Sequence, residues 1–186
     1  MHSLEPLEIQ QIITACLRNE RLAQQQLYEW LYGKLLAVTM RYAADADDAR
    51  ALLNQAFLRI FHELPKYDRN RSFLAWSKGI VIHTLIDQYR KNMIYEKHLT
   101  VLHTRTETDR HAWNEALNNL AIEDIYRCIQ KLPPDTRMVF SLYEVEGYRH
   151  AEIAELLAIP VGTSRWHLSN AKRLLQKMLL PLLQIL

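Results

Sequence analysis

Residues 148–175 read YRHAEIAELLAIPVGTSRWHLSNAKRLL, and this stretch decides the fold. His150–Leu157 is a short helix with Ile153, Ala154 and Leu157 on one face. Ala154 is small where two helices would cross closely. Ala158-Ile159-Pro160-Val161 makes a tight connection with two apolar anchors. Thr163 is placed to cap a second helix, and nothing in Ser164–Met178 breaks it. At about 100° per residue, Ser164, Leu168, Ala171 and Leu175 share one stripe, the core side. Trp166, Ser169, Asn170, Arg173 and Lys177 lie opposite, with Arg165 on the flank. A short helix, a tight turn and a second helix form the helix-turn-helix unit, which sets its second helix in the DNA major groove. Arg and Asn suit base edges, Ser and Lys suit phosphates. Trp166 either meets DNA or packs on a neighbouring helix, because a large apolar ring is normally covered. An ordinary helical hairpin is the alternative for the whole motif.

The surrounding composition agrees with an all-α protein. Glycine is scarce, with four residues, and half of the 186 residues are hydrophobic, enough for real cores. The formal charge of +2 says little by itself, but the cations are grouped. No acidic residue follows Glu155, whereas Arg165, Lys172, Arg173 and Lys177 do. Arg69, Arg71, Lys78, Arg90 and Lys91 form a second group. Separate basic patches on a nearly neutral chain suit local contacts with a polyanion; solvated helix faces are the plainer reading.

Upstream, amphipathic helices follow one another. Leu7–Asn19 begins one, and Leu22–Ala43 continues with Leu27, Trp30, Leu31, Leu35 and Val38. Asp45–Asp48 is a polar break in which Asp47 or Asp48 can cap the next helix, Ala51–Leu64, stopped by Pro65. After the charged loop Pro65–Arg71, Ser72 caps a long helix, Phe73–Lys91. That helix is apolar on two sides. Leu74, Val81, Leu85 and Tyr89 form one stripe; Phe73, Trp76, Ile80, His83 and Asp87 form another. One must bury, and the other is left for a partner. Aromatics interleaved with Lys78, Arg90 and Lys91 suit single-stranded DNA, on which rings stack bases and cations track phosphate; Phe73 and Trp76 as plain core is the alternative. Thr100–Asn119 is polar and reads as a linker. Ile122–Leu132 then ends at Pro133-Pro134, Asp135 caps Arg137–Glu144, and Gly147 closes that helix.

Several classes are disfavoured. Cys16 and Cys128 are far apart and form no CxxC pair, which fits a reducing cytoplasm and gives no zinc framework. His98, His103 and His111 have no ligand spacing, and His150 and His167 stand isolated, so neither metal nor cofactor is expected. No phosphate loop, nucleophile elbow or HExxH motif supports an enzyme. Met1–Gln10 has no apolar signal region, and no run approaches a membrane span. The apolar tail Met178–Leu186 is expected to pack within the second domain or against the first, or to be covered by a regulatory partner, with Pro181 limiting a helical extension.

Taken together, the segments resemble a known family. Asp47-Asp48-Ala49, Asn54-Gln55-Ala56-Phe57-Leu58, Ser72-Phe73-Leu74-Ala75-Trp76 and Ile86-Asp87 with Arg90-Lys91 look like region 2 of extracytoplasmic-function sigma factors. Leu132-Pro133-Pro134-Asp135-Thr136-Arg137, Glu146-Gly147-Tyr148, Glu152–Leu157, Gly162-Thr163-Ser164 and Ala171–Leu175 look like region 4. The resemblance implies two small helical domains: region 2 over 1–95, a linker over 96–121 and region 4 over 122–186. It implies an alternative sigma factor, cytoplasmic and not itself an enzyme, that directs promoter-specific initiation. Its partners would be core RNA polymerase and promoter DNA, with an anti-sigma factor as an open alternative. Core polymerase would be met by Asp47, Asp48, Asn54, Gln55 and Arg59. The melted −10 element would be read by Arg69, Asn70, Arg71, Ser72, Trp76, His83, Asp87, Arg90 and Lys91. The −35 duplex would be read by Thr163, Arg165, Trp166, Ser169, Asn170, Arg173 and Lys177. The chain departs from the family pattern at four places. Asn54-Gln55 replaces a Gln-acid pair, His83 a common Asn, Ala158 the turn glycine and Ser164 a common Val.

Two other readings compete. A stand-alone helix-turn-helix regulator would explain 148–175 and leave the first half without a role; association with core polymerase separates the two. A helical interaction protein would show no promoter binding even with polymerase present.

Overall fold

The computed structural model describes residues 6–99 and 120–183. Most of the expected linker, with His103, His111 and Trp113, lies outside them, as do the last three residues of the tail. Among the described residues there are eight α-helices and no strand. The chain divides into two compact units, one of Met1–Thr39 with Ala49–Leu85 and one of Met40–Asp48 with Ile86–Leu186.

The first unit is built on α1 (Pro6–Leu17), α2 (Arg21–Thr39), α3 (Ala46–Glu63) and the first half of α4 (Phe73–Leu99). The chain reverses between α1 and α2 at Asn19, whose φ of 60° suits a short polar side chain. α2 buries Ala23, Leu27, Leu31, Leu35 and Val38, a run at three and four that places one stripe inward. α3 answers with Leu53, Ala56, Phe57 and Ile60, and α4 with Phe73, Val81, Ile82 and Leu85. Tyr28 of α2 lies 4.4 Å from Phe57 of α3, ring to ring. α3 starts five residues earlier than its periodicity suggests. Its cap is Asp45, whose Oδ1 accepts from the Asp48 N–H at 2.9 Å, while Asp48 Oδ2 accepts from the Ala44 N–H at 3.1 Å. Asp47 and Asp48 therefore sit in the first turn, where a negative charge meets the positive helix end. Pro65 falls in a single 3₁₀ turn, Leu64–Lys66, that ends the helix. Ser72 caps α4 as expected, its Oγ accepting from the Ala75 N–H at 3.4 Å.

The second unit contains α5 (Leu120–Gln130), α6 (Pro134–Phe140), a π-helical turn (Ser141–Val145), α7 (His150–Leu157) and α8 (Val161–Leu183). α8 packs against α5, α6 and α7. Cys128, Ile129 and Leu132 meet Ala171 and Leu175, and Phe140, Leu174, Met178 and Leu179 pack around them. Thus the start of the tail belongs to this core, while Leu180 is half exposed. α8 continues through Pro181 to Leu183, contrary to the expected stop, which places the missing proline N–H in its last turn.

Two caps also differ from expectation. Pro133 precedes α6, with Pro134 at the first helical position, where the lost N–H is no cost. Asp135, in the first turn, instead accepts from the Tyr89 hydroxyl at 2.8 Å. α8 begins at Val161, and Pro160 O accepts from the Ser164 N–H at 3.1 Å, so Thr163 lies inside the helix. Gly147 closes the π-helical turn with φ +79°, and no atom crowds the place of a Cβ, so the backbone angle alone calls for glycine. Ala158 ends α7 in the left-handed region, φ 53° and ψ 45°, and the Ile159 N–H returns to Ala154 O at 3.0 Å.

Residues 40–48 are tied into this second unit by polar contacts. Arg41 Nη2 lies 2.9 Å from Glu146 Oε1, with the glutamate side chain 3% exposed. Gln130 Nε2 donates to Met40 O at 3.2 Å, and Ser141 Oγ to Arg41 O at 3.3 Å. Tyr42 is buried beside this pair, and burial first, then the Glu146 charge, pushes its phenol pKa up.

Candidate nucleic-acid interface

The two faces of α8 separate as the periodicity requires. Ser164, Leu168, Ala171 and Leu175 are buried. Arg165, Trp166, Ser169, Arg173 and Lys177 are exposed, and Thr163 and Asn170 are half-buried. Trp166 is 60% exposed, so it does not take the neighbouring-helix alternative; its ring pairs T-shaped with that of His167, centroids 4.9 Å apart. Arg173 Nη2 donates to Asn170 Oδ1 at 2.8 Å, which joins two polar candidates one turn apart. No acidic residue occurs anywhere in α8. The outer face is therefore a strip of cations and amide and hydroxyl groups around one aromatic ring.

Three polar ties hold this helix to its neighbours. His150 Nδ1 lies 2.9 Å from Ser164 Oγ, tying α7 to α8. The His150 ring also stacks on Tyr143 of the π-helical turn, centroids 4.4 Å apart. His167 Nδ1 lies 3.1 Å from Thr136 Oγ1, tying α6 to α8. Lys172 Nζ lies 2.8 Å from Glu144 Oε1. Burial lowers the pKa of both imidazoles; for His150 the charges of Arg165 and Lys172 add to the effect, and for His167 Asp135 opposes it. These histidines, isolated in the sequence, are thus partnered in the fold. A signal existed: Ser164 is a hydroxyl on a core stripe, and a buried hydroxyl calls for a partner.

A second surface lies in the first unit. Tyr67, Phe73 and Trp76 form an aromatic cluster with centroids 5.0 to 5.5 Å apart, and Trp30 adds a ring 6.4 Å from Phe73. Phe73 and Tyr67 are buried and Trp76 is half-buried, so Trp76 both packs and shows a face. Tyr67 was not among the sequence candidates. It organises the adjacent loop, since its hydroxyl donates to Arg71 O. Asp68 shapes the same loop: its Oδ1 accepts from the Asn70 N–H at 3.0 Å and from Asn70 Nδ2 at 3.1 Å, and Arg71 Nε lies 3.5 Å from its Oδ2. Arg69, Asn70, Arg71 and Ser72 are all exposed around this turn. Along α4, burial grades from Phe73 through half-buried Trp76 and Ile80 to exposed His83. Asp87, Arg90 and Lys91 belong to the second unit, where Arg90 Nη2 donates to Glu155 O at 3.1 Å.

On α3, Asn54, Gln55 and Arg59 are exposed together with Leu58, which is 75% exposed, directly follows the buried Phe57 and was not among the sequence candidates. Asp47 and Asp48 are exposed at the start of the helix. Among the described residues there is no group of three or more His, Cys, Asp or Glu side chains able to hold a metal, and no helix is long and apolar enough to cross a membrane.

Comparison with protein families matches residues 27–93 to sigma-70 region 2 and residues 122–175 to sigma-70 region 4. The chain belongs to the sigma-70 family. Region 2 thus runs from α2 to α4 and region 4 from α5 to α8. This sigma-family chain is 26% identical over 184 residues to the RNA polymerase sigma-H factor of Pseudomonas aeruginosa, across 94% of this chain and 95% of that protein. It is 24% identical over 191 residues to the ECF RNA polymerase sigma-E factor of Escherichia coli K12, across 97% and 98%. Among solved structures it is similar in fold to the Bartonella quintana sigma factor RpoE, crystallised with the anti-sigma factor NepR. That likeness has a TM-score of 0.51 at 18% identity and covers 83% of this chain and 95% of the other.

Proposed function

We propose that this chain is an alternative sigma factor that binds core RNA polymerase and directs promoter-specific initiation. In this reading α8 reads the −35 element as duplex, and the Arg69–Ser72 loop with Trp76 and His83 reads the −10 element as unstacked single strand. The exposed side of α3, with Asn54, Gln55, Leu58 and Arg59, meets polymerase. Asp87, Arg90 and Lys91 extend the −10 surface, and Asp47 and Asp48 extend the polymerase contact. The functional division is region 2 over 1–95, linker over 96–121 and region 4 over 122–186. The observation that carries the reading is α8 itself: a 23-residue helix with a buried stripe on one side and an acid-free polar face bearing an exposed tryptophan on the other.

The phosphodiester bond is made by polymerase, so the chain supplies recognition and no catalytic residue, and it works where the nucleoid is, in the cytoplasm. Its modest charge favours weak promoter binding by the free protein and specificity within the holoenzyme. An anti-sigma factor is included among its partners because the solved relative is bound to one.

Transcription in vitro with core polymerase tests the assignment. A bidentate Arg–base contact is worth about 1–3 kcal/mol of discrimination, so Arg173→Ala should weaken −35-dependent initiation by roughly one to two orders of magnitude and spare a pre-melted template. His83→Ala should instead shift selection among −10 sequences, seen by permanganate footprinting. Equal effects of both substitutions on both templates would refute the division of labour. Tight, specific promoter binding by the isolated chain would favour a stand-alone regulator.

A further inference from the structure

We propose that His150 is a positioning residue of the −35-reading helix: its bond to Ser164 sets the placement of α8 and so tunes base selection without touching DNA. This rests on the proposed role of α8. Ser164 is fully buried on the inner stripe of that helix, so its hydroxyl cannot turn to water. His150 Nδ1, at 2.9 Å, supplies its partner. A hydrogen bond is directional, and this one joins the first residue of α7 to the first turn of α8. The imidazole is not free to follow α8, because its ring is stacked on Tyr143. The chain Tyr143–His150–Ser164 therefore links the π-helical turn, α7 and α8 in one rigid series.

The position of the bridge gives it leverage on recognition. Ser164 is followed directly by Arg165 and Trp166, both exposed. A side-chain tip lies about 6 Å from its helix axis, so a rotation of α8 by about 10° carries it about 1 Å. A displacement of that size is enough to spoil a bidentate contact, whose distances hold within a few tenths of an ångström. The His167–Thr136 and Lys172–Glu144 ties restrain α8 further along. The His150 bridge is the tie at the N-terminal end, which enters the groove in a helix-turn-helix.

The test uses full-length variants assembled with core polymerase. The probe is a duplex library randomised over the −35 element with a fixed −10 element, alongside a pre-melted template carrying −10 variants. His150→Phe keeps a ring for Tyr143 and loses the hydrogen bond. His150→Gln places its amide near Nε2, whereas His150→Asn places it near Nδ1. Phe and Gln should flatten −35 base discrimination by about threefold to tenfold. Asn should restore it to within about twofold of the parent, and −10 selection should be unchanged throughout. Ser164→Val combined with His150→Phe should be no worse than His150→Phe alone, because both remove the same bond. Circular dichroism selects a temperature at which every variant is folded; if His150→Phe does not fold, His150→Gln and Ser164→Ala carry the comparison. Unchanged −35 discrimination in the folded variants, while Arg165→Ala and Trp166→Ala still lower it, overturns the inference alone. If Arg165→Ala and Trp166→Ala also leave −35 discrimination intact, the reading of α8 falls with it.

Discussion

Ala158 ends α7 at φ 53° and ψ 45°, an angle pair that glycine adopts freely and alanine does not. The left-handed conformation costs an L-residue about 1–2 kcal/mol. Replacing Ala158 with Gly removes that strain. Against it stands the extra freedom of glycine in the unfolded chain, about 0.4–1 kcal/mol. Ala158 is exposed, so loss of its methyl group forfeits little packing. The balance is a gain of about 0.8 kcal/mol, which in a cooperative unit of roughly 60–100 residues raises Tm by about 3–6 °C. Differential scanning calorimetry of Ala158→Gly measures it. Ala151→Gly is the control: it lies on the same helix, is also exposed, and should lose about 1 kcal/mol because its backbone is helical. The opposite signs carry the argument. If Ala158→Gly lowers Tm as Ala151→Gly does, the strain at the α7 terminus is not a property of the protein.

Arg41→Met should cost about 3–5 kcal/mol by breaking the buried ion pair with Glu146, and adding Glu146→Leu should recover much of that loss in urea denaturation. His150 and His167 have folded pKa values below the ordinary imidazole value, so the unfolded chain takes up their protons first. Their contribution is complete above about pH 7 and is lost as the pH falls through about 6.5 and below; a double His150→Asn, His167→Asn variant should show a flatter stability profile between pH 7 and pH 5. Leu31→Ala empties a site with no exposure in the first unit and should cost about 2–5 kcal/mol, read as a shift in denaturation midpoint without a change in slope. Trp166→Ala should change stability by no more than about 0.5 kcal/mol, since the ring is mostly in water, yet reduce initiation from −35-dependent promoters.

The parts of the fold that were legible are those governed by helical period. Ser164, Leu168, Ala171 and Leu175 line up from sequence alone and are buried together. Leu27, Leu31 and Leu35 do the same in α2. Helix starts were less legible. Asp45, Asp47 and Asp48 are all competent caps, and the one chosen depends on where packing first fixes the backbone. The same holds for Pro160 against Thr163 and for Pro133 against Asp135. The pairing of His150 with Ser164 depends on the angle at which two helices cross, which no periodicity encodes. The inclusion of 40–48 with the C-terminal helices rests on partners about a hundred residues away, such as Arg41 and Glu146.

That last pair constrains how the sequence can drift. The carboxylate of Glu146 is almost wholly shielded from water, and its charge is answered by a guanidinium 105 positions earlier in the chain. An exchange of either residue alone breaks a buried ion pair, a loss of about 3–5 kcal/mol against the roughly 5–15 kcal/mol that holds a protein folded. Among descendants of this chain the two positions should therefore change together or not at all, and an alignment of near relatives should show them covarying even where the surrounding residues have diverged.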